Sequence, residues 1–382
     1  MPTQNDFEIC IICALPLEAR AIRALFEAGE DKTFEKAKGD TNIYSIGRIS
    51  GKDVVLAYMP GMGKVAAAGV AGNLKRSFEN IKLALLVGIC GGVPGEGDNG
   101  VRLGDVIVGK NVVHYDFGRQ YEHGFEMKDG PGDRLGKQGP EIGGFVGKLE
   151  SGRGKLEQQL SGYLDSMLNS WKPKISVDNL KDVAYPKGYW HIHQDKDAGE
   201  CWDGKCENFV SVCKTATTAS CEELGCERAD WIRPRDRRPV PRVFFGTVAS
   251  GDKVMRSAAI RNKIAKGADV LAFDMEAAGV WDFLPCILIK GVCDYSDSHK
   301  NKSWQEYAAI SAAAFTRAAL EEWASSATTT TTDATAARSQ PSQPTIGSIN
   351  SYGNTQFNNH KGSKVMNQAS NMVFTGNQTF SF

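Results

Sequence analysis

Residues 7–26 read FEICIICALPLEARAIRALF. Phe7 to Cys13 is apolar but for Glu8, the pattern of a buried strand, and Leu17 to Phe26 carries apolar residues at helical spacing. The same strand-then-helix unit recurs downstream. Val54 to Tyr58 reads as a strand, Gly61 to Gly63 as a turn, Lys64 to Phe78 as an Ala-rich helix and Leu83 to Val87 as a fully apolar strand. Short apolar strands alternating with helices belong to a sheet covered on both faces, so the expected class is α/β.

After a strand at Asp105 to Val108 the alternation stops. Residues from about 120 to 242 are rich in Gly, Lys, Trp and Cys without sustained periodicity and read as a large internal insertion. Alternation resumes with a strand at Val243 to Ala249, a helix near Ala258 to Ala265, strands at Val270 to Phe273 and Cys286 to Lys290, and a long helix from Ser303 to Trp323. One domain therefore spans 1–325. Residues 326–344 are a Thr, Ser and Pro linker with too little apolar surface to fold. Residues 345–382 are rich in Asn, Gln and Gly, with single apolar residues such as Val365, Val373 and Phe374 between Gly-Asn and Asn-Gln pairs. Such a tail suits cross-β stacking, and its composition equally suits a disordered end.

Composition narrows the function. The chain has 382 residues, 41% of them hydrophobic, and 45 basic residues against 45 acidic. This balance gives no net field that would favour nucleic acid or an anionic membrane over a small metabolite. No apolar stretch reaches the length of a membrane span, and the N-terminus lacks a basic region followed by a cleavable apolar segment, so a cytoplasmic location is expected. Cys10, Cys13, Cys90, Cys286 and Cys293 lie in apolar runs, where cysteine acts as a small core residue.

Three acids stand at element ends: Glu18 after the first strand, Glu276 in FDMEAAG and Asp294 in KGVCDYSD. Ligands of α/β sheets collect at the carboxyl ends of strands, although each acid alone also suits a helix cap or the surface. Glycine-rich turns at Pro60 to Lys64 and Gly88 to Gly92 admit close backbone approach by a ligand, or serve as ordinary turns. The first is not a P-loop: Tyr58 stands where the opening glycine belongs, and Val65 replaces the Ser or Thr.

The segments ICALPLEARA, PGMGKVAAA, LLVGICGGVP, RLGDVIVG, HYDFG, GTVASGDKVM, FDMEAAGVW and KGVCDYSDSHKNKSWQEYAA occur in this order over roughly residues 5–120 and 243–323. Together they resemble the nucleoside phosphorylase and methylthioadenosine nucleosidase superfamily, and most closely the version found in fungal proteins that resemble immune receptors. The resemblance implies a three-layer fold with a central mixed sheet, and cleavage of a purine N-glycosidic bond, with adenine the favoured base and no cofactor. Asp294 would be the general acid at the purine, Glu276 would grip the ribose hydroxyls, Met275 would pack under the sugar, and Gly88, Cys90, Gly91, Ser250 and Lys290 would complete the substrate site.

Glu18 bears on the type of reaction. By resemblance a glutamate here orients the attacking water in the hydrolase branch, and its negative charge would repel phosphate. Arg20 and Arg23 offer a rival phosphate site, or are solvated helix residues. The remaining readings are a phosphate-dependent phosphorylase and an inactive purine-binding sensor that signals through the tail. Two positions depart from the smaller bacterial members: Lys290 stands where they use arginine, and Cys293 replaces a serine.

The insertion holds Cys201, Cys206, Cys213, Cys221 and Cys226, with His191 and His193 upstream. These are usual zinc ligands, but the C-x4-C spacings are looser than C-x2-C, and no metal is assigned from them. Five arginines between Arg233 and Arg242 form either a solvated loop or a clamp for substrate phosphates. Expected partners are a purine nucleoside or nucleotide, further copies of the chain in a homo-oligomer, and an effector or NLR-like protein sharing the tail motif; neither nucleic acid nor a membrane span is expected.

Overall fold

The structure, a computed structural model, describes residues 4–27, 36–95, 100–128, 130, 133–192, 214–226 and 240–324. The linker and tail expected at 326–382 lie outside the described residues, as do His193, Cys201, Cys206, Cys213 and most of the arginine-rich stretch.

The elements follow in chain order: β1 (Ile9–Cys13), α1 (Pro16–Arg23), β2 (Ile43–Ile49), β3 (Lys52–Tyr58), α2 (Lys64–Ser77), β4 (Leu83–Gly92), β5 (Val106–His114), β6 (Gly118–Tyr121) and β7 (Gly124–Met127). Then come α3 (Pro140–Ser151), α4 (Arg153–Ser170), α5 (Lys214–Thr218), β8 (Val243–Ser250), α6 (Ala258–Ala268), β9 (Val270–Asp274), α7 (Ala277–Val280), β10 (Cys286–Asp294) and α8 (Gln305–Glu322).

Eight strands form one mixed sheet in the order β10-β5-β8-β9-β4-β1-β3-β2, and β10 also pairs with β4. The second pairing closes β4, β10, β5, β8 and β9 into a ring. β4 can serve three neighbours because it is long. Its first half, Leu83 to Leu86, runs parallel to β1, nearly its whole length, Ala84 to Gly91, runs parallel to β10, and its end, Gly91 and Gly92, meets β9 antiparallel. β1, β3 and β2 extend the sheet outward from β4.

Every residue of β1 and β10 is buried, as the continuous apolar runs require of strands covered on both faces. Alternate side chains feed two cores. One joins Ile9, Ile11, Leu83, Leu85, Ile287 and Ile289 to α1, α3, α4 and α8. The other joins Cys10, Ile12, Ala84, Leu86 and Leu288 to α2 and α7. The three-layer arrangement follows from this division. α8 is buried on nearly every side, and its alanines let it lie close against the sheet.

Residues 140–170, irregular on the sequence reading, form α3 and α4. The signal was a single stripe, Leu156, Leu160, Leu164 and Met167, buried at one residue per turn in an otherwise polar helix. That face packs with α8 in the first core, while Tyr163 donates to Glu321 at 2.6 Å. These helices therefore complete one outer layer of the fold. β10 also runs four residues beyond the Lys290 expected, ending on Asp294. No helix among the described residues is long and apolar enough to cross a membrane.

Candidate functional site

The carboxyl ends of β1, β4, β9 and β10 open onto a cavity of about 210 Å³. Glu18, Cys90, Gly91, Met275, Glu276 and Asp294 all line it. Three acids from distant parts of the sequence are thus brought to one small cavity by the strand order. Gly88, Ser250 and Lys290 do not line it and stand behind the lining.

Glu18 sits in the first turn of α1 and is 3% exposed. Its Oε2 accepts the backbone N–H groups of Ala14 at 2.9 Å and Leu15 at 2.8 Å, and its Oε1 accepts that of Ile89 at 2.8 Å. Burial pushes its carboxyl up to about 7, against the opposing pull of the Lys290 ammonium and the backbone donors. Gly88 makes this placement possible, because a Cβ there would collide with Glu18 Oε1.

Glu276 precedes α7, and its Oε1 accepts the Gly63 N–H at 3.4 Å. Its Oε2 lies 3.5 Å from Lys290 Nζ, which is also 3.3 Å from Asp274 Oδ2. Burial raises the Glu276 carboxyl, and Lys290 opposes the rise. For Lys290, burial acts to lower the ammonium, but Asp274, Glu276 and Glu18 outweigh it and the group is raised. Lys290 thereby stays charged in the interior and neutralises a pair of carboxylates whose approach would otherwise be costly. Asp274 was not singled out in the sequence.

Asp294 ends β10 and is 5% exposed. Its Oδ1 accepts the Ser296 N–H at 2.8 Å; its Oδ2 takes the Cys293 thiol at 3.3 Å and lies 3.1 Å from Lys300 Nζ. A Cβ on Gly91 would collide with Ser296 Oγ and come within 2.8 Å of Asp294 Oδ1, so this glycine leaves room for the acid. Ser250 is fully buried and accepts the Ala278 N–H at 3.0 Å, which fixes the start of α7 next to Glu276.

The rim is latched by charge. Lys64 Nζ donates to Asp116 at 2.6 Å, Asp116 accepts the Asp252 N–H at 2.7 Å, and Asp252 accepts the Lys64 N–H at 2.8 Å. The latch joins the Met62 turn to the Lys253–Met255 segment, and both line the cavity. Arg20, weighed above as a phosphate ligand, instead pairs with Glu306 at 2.6 Å and lies 4.5 Å over the Trp171 ring.

Three carboxylates, the lysines Lys253 and Lys300 and apolar side chains thus surround one small cavity at the strand ends of a partly closed mixed sheet, on a nucleoside phosphorylase-like fold. Residues 8–161 match the phosphorylase superfamily model. The match runs through α3 and ends within α4.

Among curated proteins the chain is similar to a nucleotide-binding leucine-rich repeat (NLR)-like protein of Hyaloscypha variabilis, 29% identical over 320 residues and 82% of this chain. It spans only 29% of the length of that relative. Among solved structures it shares its fold with the 5'-methylthioadenosine/S-adenosyl homocysteine nucleosidase of Helicobacter pylori complexed with a substituted pyrrolidin-3-ol. The TM-score is 0.50 at 15% identity, over 84% of this chain and 100% of that one. A mutant of the Helicobacter pylori enzyme with 5'-methylthioadenosine in the active site gives a TM-score of 0.50 at 14% identity, over 83% and 99%.

Proposed function

We propose that this domain hydrolyses the N-glycosidic bond of a purine nucleoside or nucleotide, with adenine as the favoured base. The observation that carries the proposal is the convergence of Glu18, Glu276 and Asp294 on one cavity, with Glu18 fixed by three backbone donors. Cleavage gives the sugar oxocarbenium character and moves negative charge onto the departing base.

Each acid then has a task set by its surroundings. Glu18, in its ionised form, accepts a proton from water and directs the oxygen at the sugar carbon. Glu276 accepts from the ribose hydroxyls while Met275 packs against the sugar. Asp294, in its protonated form, donates its proton to the purine ring nitrogen and is left as the carboxylate, and Lys300 puts positive charge where the leaving base becomes negative. The nucleosidase named in the solved relatives acts on 5'-methylthioadenosine and S-adenosyl homocysteine, which supports adenine as the base.

Hydrolysis is favoured over phosphorolysis because the carboxylate of Glu18 occupies the cavity wall and Arg20 is committed to Glu306 and Trp171. Turnover in ¹⁸O-enriched water tests this directly. Label in free ribose is the expected result; unlabelled ribose 1-phosphate formed only in phosphate buffer would overturn it. The similarity to an NLR-like protein supports a place in fungal immune or cell-death signalling, with the 345–382 segment as the self-associating link to a partner and the domain working as a homo-oligomer.

A further inference from the structure

The segment between α4 and β8 brings together three donor atoms that the proposed reaction does not use. His191 Nδ1 lies 3.6 Å from Cys221 Sγ and 3.5 Å from Cys226 Sγ, and the three atoms all lie within 4.8 Å of one another. Tetrahedral zinc, with bonds of about 2.3 Å to sulfur and about 2.0–2.1 Å to nitrogen, sets its N···S edges at about 3.5–3.6 Å. Both N···S separations match that edge.

The outer contacts agree. His191 Nε2 lies 2.9 Å from the Ala219 carbonyl oxygen. Donation there fixes the tautomer that leaves the Nδ1 lone pair facing both sulfurs, as second-shell partners do for metal-bound imidazoles. Cys226 is fully buried beside Tyr185 and Leu224, in a small apolar core of its own.

We propose that His191, Cys221 and Cys226 bind a zinc ion, with water or one further side chain in the fourth position, and that the ion braces the segment that follows Asp294. On binding, two Zn–S bonds form and the two thiol protons pass to solvent. The bracing runs through short contacts. The His191 N–H donates to Ser298 Oγ at 3.0 Å, and its ring meets that of His299 edge-on at 5.4 Å. His299 stacks on Tyr185 with centroids 3.6 Å apart, and the Tyr189 hydroxyl donates to the Cys226 carbonyl at 2.8 Å. Thiolate-rich sites select zinc over harder divalent cations. The site stands whether or not the domain is a glycosidase.

The test is metal analysis of the full chain, purified under reductant, incubated with zinc and desalted. About one zinc per chain is expected in the wild type, and its loss in the Cys221→Ser/Cys226→Ser double variant. Cobalt substitution should give thiolate-to-metal charge-transfer absorption in the wild type alone. Should the double variant fail to fold, alkylation of the folded wild type with and without zinc, mapped by mass spectrometry, decides. Labelling of the partly exposed Cys221 should slow at least about tenfold with zinc, while the buried Cys10 and Cys286 are unchanged. A wild type that retains no metal, a double variant that retains the full amount, or equal labelling with and without zinc would overturn the proposal.

Discussion

Oε1 of Glu18 accepts the backbone N–H of Ile89 at 2.8 Å, so a carboxylate carried by α1 is tied to the strand that floors the cavity. Burial pushes this group up to about 7, so it changes charge close to neutral pH. As a base it acts only when ionised. We expect kcat/KM to fall about tenfold per pH unit below about 7 and to level off above it. Glu18→Gln should lose most activity and with it this limb of the profile. A pH–rate series for both proteins checks it.

The same shift predicts an opposite trend in stability. Because the folded-state value exceeds the unfolded one, the folded chain binds more protons between about 4.5 and about 7. Glu18 therefore contributes a loss of stability as pH rises through that window. Unfolding free energies in urea, taken from about pH 5 to about pH 8, should decline more steeply for the wild type than for Glu18→Gln.

Gly88 and Gly91 support the site by having no side chain. In Gly88→Ala the new methyl group meets Glu18 Oε1 and Cδ, and the helix turn that carries Glu18 has to shift. We expect a stability loss of about 1–3 kcal/mol and a larger proportional fall in kcat than in substrate affinity. Urea denaturation and steady-state kinetics on the same preparation separate the two effects.

Lys290 is 1% exposed and faces Asp274 and Glu276. Lys290→Met leaves both carboxylates buried without their counter-charge and should cost about 3–5 kcal/mol. Lys290→Arg keeps the charge and should cost less. Chemical denaturation of the two variants tests the ordering.

Much of this arrangement can be read from the sequence, and the exceptions have physical reasons. β1, β3 and β4 are legible because their apolar runs are bounded by turns, and Glu18, Glu276 and Asp294 because each stands at the end of such a run. α4 is hidden because it buries one residue per turn, too thin a stripe to rise above RGKLEQQLSGYLDSMLNS. The end of β10 is hidden because Lys290 and Gly291 interrupt its apolar pattern, though both are fully paired in the sheet. Asp274 gives no local sign of its role, since the partner that explains it lies on another strand. His191, Cys221 and Cys226 are visible as donors, but only folding across the insertion shows which three converge.

Lys300 Nζ lies 3.1 Å from Asp294 Oδ2, and in the proposed reaction this pair assists departure of the base. Lys300→Ala should lower kcat by about 10²-fold, the usual effect of removing one preorganised charge-stabilising donor, with substrate affinity little changed. Asp294→Asn should lower it further, by up to about 10⁴-fold, while leaving binding of a non-hydrolysable analogue intact. Calorimetric titration beside the rate assay distinguishes a lost proton donor from a collapsed cavity.

The central claim is tested most directly by chromatographic detection of free base from adenosine, inosine, guanosine, 5'-methylthioadenosine and ATP incubated with the folded chain, with and without phosphate. The account predicts adenine release without phosphate, lost in Asp294→Asn. Release that requires phosphate, or no release from any member of the panel, would contradict it.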